Sequence, residues 1–164
     1  MPADRPPRLL TRALLDDASA AARGAPRLRR NVNLHQGESE PCNRLLNAIA
    51  PGSYVAPHRH LDPTKDESIV AVRGRLGVAF FDDAGRIESA AVLEPGGACF
   101  GVDVPHGTFH SVVALEPGTV FFESKAGPYA ALVDAERAAW APAEGSPSAV
   151  SYLRELEARL RALR

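Results

Sequence analysis

The sequence predicts an all-β fold, a sandwich or barrel with a short helix at each end. From about residue 31 to residue 126, short apolar runs alternate with turns rich in Gly, Pro and Asp. About eight such runs follow one another here, which favours packed antiparallel sheets over alternating strand and helix units. The 164 residues suit one domain, because a chain of this length can bury a substantial core.

An N-terminal extension, residues 1–30, precedes the barrel and is predicted to be helical over 9–23. Its apolar residues at helical spacing are Leu10, Leu14, Ala18 and Ala21. Gly24 is expected to end this helix.

The barrel itself is assigned to residues 31–126. Its predicted strands are 42–49, 53–60, 67–73, 76–82, 86–93, 98–103, 108–114 and 118–125. The segment DDAG at 82–85 lies between two apolar runs and is typical of a hairpin turn.

A C-terminal extension, residues 127–164, ends in a predicted helix. Its apolar stripe consists of Val150, Leu153, Leu156, Leu160 and Leu163. We expect this stripe to pack on the barrel or on a partner subunit.

Composition limits the function classes. The formal net charge is -1, with 19 basic and 20 acidic residues, so no broad field attracts nucleic acid or an anionic membrane. No apolar run approaches the length that crosses a bilayer, and the N-terminus lacks the apolar core of a secretory signal. Cys42 and Cys99 form no CxxC motif, which argues against a disulfide framework or a thiolate zinc site. A cytoplasmic protein is expected.

Four of the five histidines lie in two short stretches, 51–74 and 105–110. His58 and His60, two apart on a predicted strand, project to the same face. A hairpin loop could bring Glu67 beside them, and His110 on another strand could complete the set. Three neutral nitrogens and a carboxylate suit zinc, iron(II), manganese, nickel or copper. The alternative is that these are ordinary surface or core histidines near turns.

The spacing resembles the two motifs of the cupin superfamily. The first motif, G(x)5HxH(x)3-4E(x)6G, matches Gly52, His58, His60, Glu67 and Gly74. The second, G(x)5PxG(x)2H(x)3N, matches Pro105, Gly107 and His110. The resemblance implies a single double-stranded β-helix (jelly-roll) barrel that holds one divalent metal ion on His58, His60, Glu67 and His110. It also implies a homodimer, because cupin barrels commonly pair.

The sequence departs from the cupin pattern at three points. Six residues separate His60 from Glu67, so the loop is longer and contains Asp62 and Asp66 as rival ligands. Cys99 stands where the second motif has its first Gly, and Ala114 stands where it has Asn. None of these changes removes a ligand.

A closer resemblance, over about residues 27–146, is to the WbuC-type cupin-fold metalloproteins of bacteria. It is carried by stretches such as RLLNAIAPGSYVAPHRH, KDESIVAVRG, VDVPHGTFHS and VFFESKAGPY. That family is named for a gene found among polysaccharide (O-antigen) biosynthesis genes. The resemblance therefore implies the fold and the metal, and links the chain to bacterial surface polysaccharide biosynthesis without specifying a substrate.

Further residues are candidates for the lining of a pocket. They are Tyr54, Arg44, His106, Glu123 and Lys125. Strand alternation allows only one of Arg44 and Asn47 to point inward, and Glu123 and Lys125 share a face that borders either a cavity or water. His106 in its turn is either an acid–base group or simply exposed.

Three functions are compatible with the sequence. The first is a metal-dependent enzyme on a small, polar, sugar-like molecule, in which the metal polarises a carbonyl or hydroxyl or binds dioxygen. The second is a non-catalytic metal- or ligand-binding module, which a purely apolar pocket around the metal would favour. The third is a metal-free deoxysugar epimerase, which a hydrogen bond between His58 and an Asp would favour.

Overall fold

The computed structural model describes residues 6–163. Helix α1 is Arg12–Gly24, and the strands are β1 (Arg29–Asn33), β2 (Cys42–Ile49), β3 (Glu67–Arg73), β4 (Leu76–Phe81), β5 (Ile87–Leu93), β6 (Gly101–Val104), β7 (Phe109–Ala114) and β8 (Thr119–Ala126). A 3-10 helix, Asp134–Glu136, precedes helix α2, Ala149–Arg161. No helix in this part of the chain is both long and apolar enough to span a membrane.

The strands form two antiparallel sheets. One has the order β1-β2-β8-β3-β6 and the other the order β5-β4-β7. Strands distant in sequence therefore lie side by side, as when β8 pairs with both β2 and β3. The predicted all-β jelly-roll barrel with a short helix at each end is confirmed.

The space between the two sheets forms an apolar core. Its buried members include Ile49, Ile69, Leu76, Val78 and Phe121. On each strand the alternate side chains point outward, so each sheet also needs cover on its outer face. Some members of this core, among them Ile49, Ile69 and Phe121, also line the cavity described below.

The two helices cover the outer faces of the sheets. Leu15, Ala18 and Ala22 of α1 pack on the five-stranded sheet, against Leu46 and Val120 among others. The predicted apolar face of α1 was partly wrong, because the helix begins only at Arg12 and Leu10 is exposed. Hydrogen bonds from Arg73 to the Leu15 carbonyl and to Ser19 orient the helix so that Ala22 is buried, whereas Ala21 is exposed.

Helix α2 covers the three-stranded sheet. Leu153, Leu156 and Leu160 of the predicted stripe are buried, while Val150 and Leu163 at its ends are exposed. The division of the chain at residues 31 and 127 stays a prediction, and its residues 1–5 and 164 lie outside the described range.

One motif glycine has a clear structural reason. Gly74, between β3 and β4, adopts a φ of 72°, in the left-handed region that disfavours side chains. A Cβ there would lie 2.9 Å from the Cα of Thr119, so the β3–β4 turn packs directly on the start of β8. This contact fixes the far end of β3, the strand that begins with Glu67.

Candidate metal centre

The segment that contains His58 and His60 is extended, but it is not the predicted strand at 53–60. Its ladder is limited to isolated bridges at His58, where two hydrogen bonds of 3.1 and 2.9 Å join it to His110 on β7. Pro57 has no N–H to donate, which interrupts any longer ladder. The bridge nevertheless places His58 directly opposite His110, and His60 follows two residues later on the same segment.

Three imidazoles converge inside the barrel. The possible ligand atoms of His58, His60 and His110 all lie within 4.8 Å of one another. Backbone carbonyls hold two of the rings: His58 Nδ1 lies 3.1 Å from the Ala56 oxygen, and His110 Nδ1 lies 3.0 Å from the Thr108 oxygen. A ring that donates its Nδ1–H to a carbonyl keeps Nε2 as a lone-pair donor, which is the tautomer that metal ligation through Nε2 requires.

Glu67, the first residue of β3, brings a carboxylate to the same place. Its Oε2 lies 3.3 Å from His60 Nε2 and 3.4 Å from His110 Nε2. Glu67 is 3% exposed, and Oε2 has no hydrogen-bond partner within residues 6–163. A buried carboxylate oxygen without a donor is costly unless a cation compensates it. The donor set therefore fits a divalent metal ion.

The electrostatics of the cluster keep these groups in the forms that bind a metal. Burial, reinforced by the neighbouring His110, lowers the pKa of His58 to about 3, so its imidazole is neutral at neutral pH. Burial alone would raise the pKa of the Glu67 carboxyl, but contacts with His110 and His60 and the charge of Lys125 hold it well below its ordinary range. Glu67 is consequently ionised.

A second polar group lies beside the histidines. Glu123 accepts a hydrogen bond of 2.6 Å from Asn47 Nδ2 and pairs at 2.9 Å with Lys125 Nζ. The same ammonium lies 3.8 Å from Glu67 Oε1 and 3.5 Å from His60 Nε2. Burial and the charge of Glu67 raise the pKa of Glu123 to about 7, whereas that of Lys125 is raised by Glu123 and Glu67 against the opposing effect of burial.

The histidines, Glu67, Glu123 and Lys125 all line one cavity of about 330 Å³. This placement agrees with the inward orientation considered for Glu123 and Lys125. The strand register explains why these side chains face the same cavity, because Asn43, Lys125 and Glu67 are cross-strand neighbours on β2, β8 and β3. Side chains in one such row share a face of the sheet, here the inner one.

Three other predicted lining residues lie elsewhere. Arg44 occupies the opposite face of β2 from Asn43 and Asn47, and its guanidinium pairs with Glu40 at 3.2 Å. Alternation thus places Asn47, and not Arg44, inside the barrel. Tyr54 is buried in the core under α2, where its hydroxyl donates to the Pro142 carbonyl at 2.8 Å.

His106 is exposed, and its ring bonds Asp66 at 2.8 Å outside the cavity. The same contact engages the carboxylate of Asp66, one of the two rival metal ligands in the loop. Asp62, the other rival, accepts hydrogen bonds from the backbone and hydroxyl of Thr64. Both aspartates thus shape the long loop, and neither belongs to the histidine cluster.

Sequence reasoning missed several residues that line the cavity, among them Asn43 and Lys65. Asn43 is 3% exposed, and its Oδ1 has no hydrogen-bond partner in the described part of the chain. Lys65 is 9% exposed and lies in the loop between His60 and Glu67. Strand alternation is a sequence signal for Asn43, because it places Asn43 on the same face of β2 as Asn47. For Lys65 the only sequence signal was its position in an unusually long loop between two predicted ligands.

The rim of the cavity is held by an ion-pair cluster. Glu144, in the segment before α2, bonds Arg27 at 2.7 and 2.5 Å and Arg29 at 2.8 Å. Burial alone would raise the pKa of the Glu144 carboxyl, but these hydrogen bonds hold it below its ordinary value of 4.5. The cluster ties the C-terminal segment to β1.

We expect Glu144→Gln to lower the free energy of unfolding by about 1 kcal/mol at pH 7, since the pairs are charge-assisted yet partly exposed. A carboxyl whose pKa is lowered on folding stabilises fully above its unfolded pKa and loses that effect as the pH falls through the folded value. Urea denaturation should therefore show the difference between the two proteins at pH 7 and its loss near pH 3. An equal difference at both pH values would contradict this role.

The fold and the histidine cluster together define a β-barrel protein with a candidate metal centre inside the barrel. The chain belongs to the family described as "Domain of unknown function (DUF6016)", whose model matches residues 10–93. No curated protein matches the chain.

Solved structures with a similar backbone include KdgF from Halomonas sp., at 20% identity over 62% of this chain and 82% of that chain, with a TM-score of 0.49. A cupin superfamily protein from Desulfitobacterium hafniense is similar at 17% identity over 60% of this chain and 76% of its own, with a TM-score of 0.46. A mutant of Bacillus subtilis oxalate decarboxylase is similar at 24% identity, covering 62% of this chain and 26% of that chain, with a TM-score of 0.48.

Proposed function

We propose that this protein is a metal-dependent enzyme with one divalent transition metal ion (Zn, Fe, Mn or Ni) held by His58, His60, His110 and Glu67. The observation that carries the proposal is the convergence of three imidazoles within 4.8 Å, two of them fixed through Nδ1 by carbonyls. Ordinary core histidines do not need this shared orientation. The Oε2 of Glu67 is buried beside two of them and has no hydrogen-bond partner within residues 6–163, which supports its role as the fourth ligand.

The polar groups next to the cluster favour an enzyme over a purely binding module. When bound, a divalent ion supplies Lewis acidity, which polarises a carbonyl or hydroxyl oxygen. Glu123 and Lys125 face the same cavity and are positioned to orient a substrate and to hold a proton near it. A pocket with only apolar lining, which would favour the non-catalytic alternative, is not what surrounds these histidines.

The metal-free epimerase alternative receives less support. It would be favoured by a hydrogen bond between His58 and an aspartate. His58 Nδ1 bonds the Ala56 carbonyl instead, and the two loop aspartates, Asp62 and Asp66, are engaged with Thr64 and His106.

We further propose a small, polar, sugar-like substrate and a place in bacterial surface polysaccharide biosynthesis. The volume of the cavity, about 330 Å³, supports a small ligand, and the resemblance to WbuC-type proteins supports the biological setting. A homodimer, a cytoplasmic location and the absence of nucleic-acid and membrane partners remain predictions from the sequence.

An enzyme of this kind keeps a coordination position that small molecules can reach, and cobalt(II) loading tests that. We expect the visible d–d bands of the Co(II) protein to shift on addition of azide, because four protein ligands leave positions open on a six-coordinate ion. His106→Ala is the matched control, and its Co(II) spectrum and azide response should equal those of the parent. Bands that azide leaves unchanged would indicate a closed structural site and contradict the enzyme proposal.

A further inference from the structure

Lys65 is a largely buried cation without a direct ion pair among the described residues. It is 9% exposed, and its Nζ donates one hydrogen bond of 2.9 Å, to the Pro128 carbonyl. No carboxylate of residues 6–163 lies within ion-pair distance of it. Asp62 accepts hydrogen bonds from Thr64, and Glu136 accepts them from the backbone N–H groups of Leu61 and Val133. These hydrogen bonds, and to a lesser extent the charge of Lys65, lower the pKa of the Asp62 and Glu136 carboxyls, but neither carboxylate bonds Lys65.

The other cations of the cavity are mostly neutralised. Lys125 pairs with Glu123, and Arg27 and Arg29 pair with Glu144. Arg137 at the mouth resembles Lys65, since its guanidinium donates to the Leu132 carbonyl. Five basic and three acidic side chains line the cavity among the described residues, so positive charge is in excess even before a metal ion is added.

Such an excess predicts the charge of the ligand. Burying an ammonium ion costs several kcal/mol unless an opposite charge or several hydrogen bonds compensate it. Lys65 has one neutral acceptor and two N–H donors to spare. An anionic group on a bound molecule would satisfy both.

Asn43 specifies a second feature of the ligand. Its side-chain oxygen is buried in the cavity wall without a donor, in the same cross-strand row as Lys125 and Glu67. A buried acceptor of this kind is satisfied by an O–H or N–H of a ligand. A hydroxyl group supplies that donor.

From these two residues we infer that the cavity takes a hydroxylated small molecule bearing a carboxylate or phosphate group, with the anionic group at Lys65 and a hydroxyl at Asn43. This inference rests on the proposed function and narrows its substrate from a sugar-like molecule to an acidic sugar derivative. A carboxylate and a phosphate are both anions that accept hydrogen bonds from the Lys65 ammonium. The test therefore uses one probe of each kind to distinguish them.

Calorimetric titration of the metal-loaded protein with glucose, glucuronate and glucose 6-phosphate tests the inference. At least one charged probe should bind ten-fold or more tightly than glucose, and the stronger one identifies the preferred anion. Lys65→Met should abolish that preference without changing glucose binding. Arg30→Met, which removes one exposed positive charge outside the cavity, should keep the preference. Equal affinities for all three probes, or a preference that survives Lys65→Met, would overturn the inference.

The melting temperature of Lys65→Met separates a binding lysine from a structural one. If Lys65 is kept for an anion, the apolar variant is as stable as the parent or more so in anion-free buffer, because an uncompensated charge is removed. If the lysine mainly holds the Pro128 carbonyl, the variant melts several degrees lower, which would contradict the inference. Repeating the titrations on metal-free protein keeps the two proposals distinct, since an anion preference at Lys65 does not require metal retention by the histidines.

Discussion

His110→Ala is expected to abolish metal binding, from about one equivalent per chain to a trace. The imidazole is 3% exposed, its Nδ1 is held by the Thr108 carbonyl, and its Nε2 lies 3.4 Å from Glu67 Oε2. The two loop aspartates, Asp62 and Asp66, are engaged outside the cluster and are not placed to replace it. The measurement is elemental analysis of dialysed protein.

The same variant should lose the stabilisation that a metal confers. A ligand at 100 times its dissociation constant stabilises the folded state by about 2.7 kcal/mol. The parent should therefore melt at a higher temperature with metal than with chelator, and His110→Ala should melt equally in both. Circular dichroism of the chelated proteins verifies that the variant folds. His106→Ala, in the same turn region but outside the cavity, should keep both the metal and the shift; loss of metal in that control would place the site elsewhere.

Leu160→Ala is expected to lower the free energy of unfolding by about 2–5 kcal/mol, as large-to-small changes in packed cores do. Leu160 is 0% exposed and lies on the backbone of β4, where a Cβ on Gly77 would be 2.8 Å from its Cδ1. With so little room between helix and strand, the cavity left by the truncation cannot close easily. Urea denaturation followed by fluorescence measures the change.

Val150→Ala is the matched control on the same helix. Val150 is 57% exposed, and its truncation should change the free energy of unfolding by less than about 0.5 kcal/mol. Equal effects of the two variants would mean that α2 does not pack on the three-stranded sheet through Leu160.

Local patterns in the sequence were sufficient to predict most of the barrel. The predicted strands 42–49 and 67–73 coincide with β2 and β3, because Gly and Pro turns mark their ends and β-branched or apolar residues fill them. The run at 53–60 looks similar but is no strand, since Pro57 interrupts the ladder and only His58 finds a partner on β7. Whether that segment forms a strand depends on its pairing with residues distant in sequence, which the local pattern does not determine.

The candidate site was also predictable only in part. The spacing of the motif predicted His58, His60, Glu67 and His110, and the structure brings these four together. The lining was harder to predict. Strand alternation showed that only one of Arg44 and Asn47 can point into the barrel. It could not show which one, because that depends on which face of β2 turns inward. Lys65 was unpredictable from local pattern, because a loop residue becomes buried only when the 127–130 segment folds over it.

The most direct test of the central claim is the metal content of the parent protein, purified without added metal or a chelating tag. A site of three imidazoles and one carboxylate inside the barrel predicts about one equivalent of a single transition metal per chain, lost in His58→Ala and His110→Ala. The identity of that metal would direct the search for a reaction, towards oxygen chemistry for iron and towards isomerisation or hydrolysis for zinc or manganese. Protein that retains no metal, even after reconstitution with each of these ions, would contradict the account and favour the metal-free epimerase alternative.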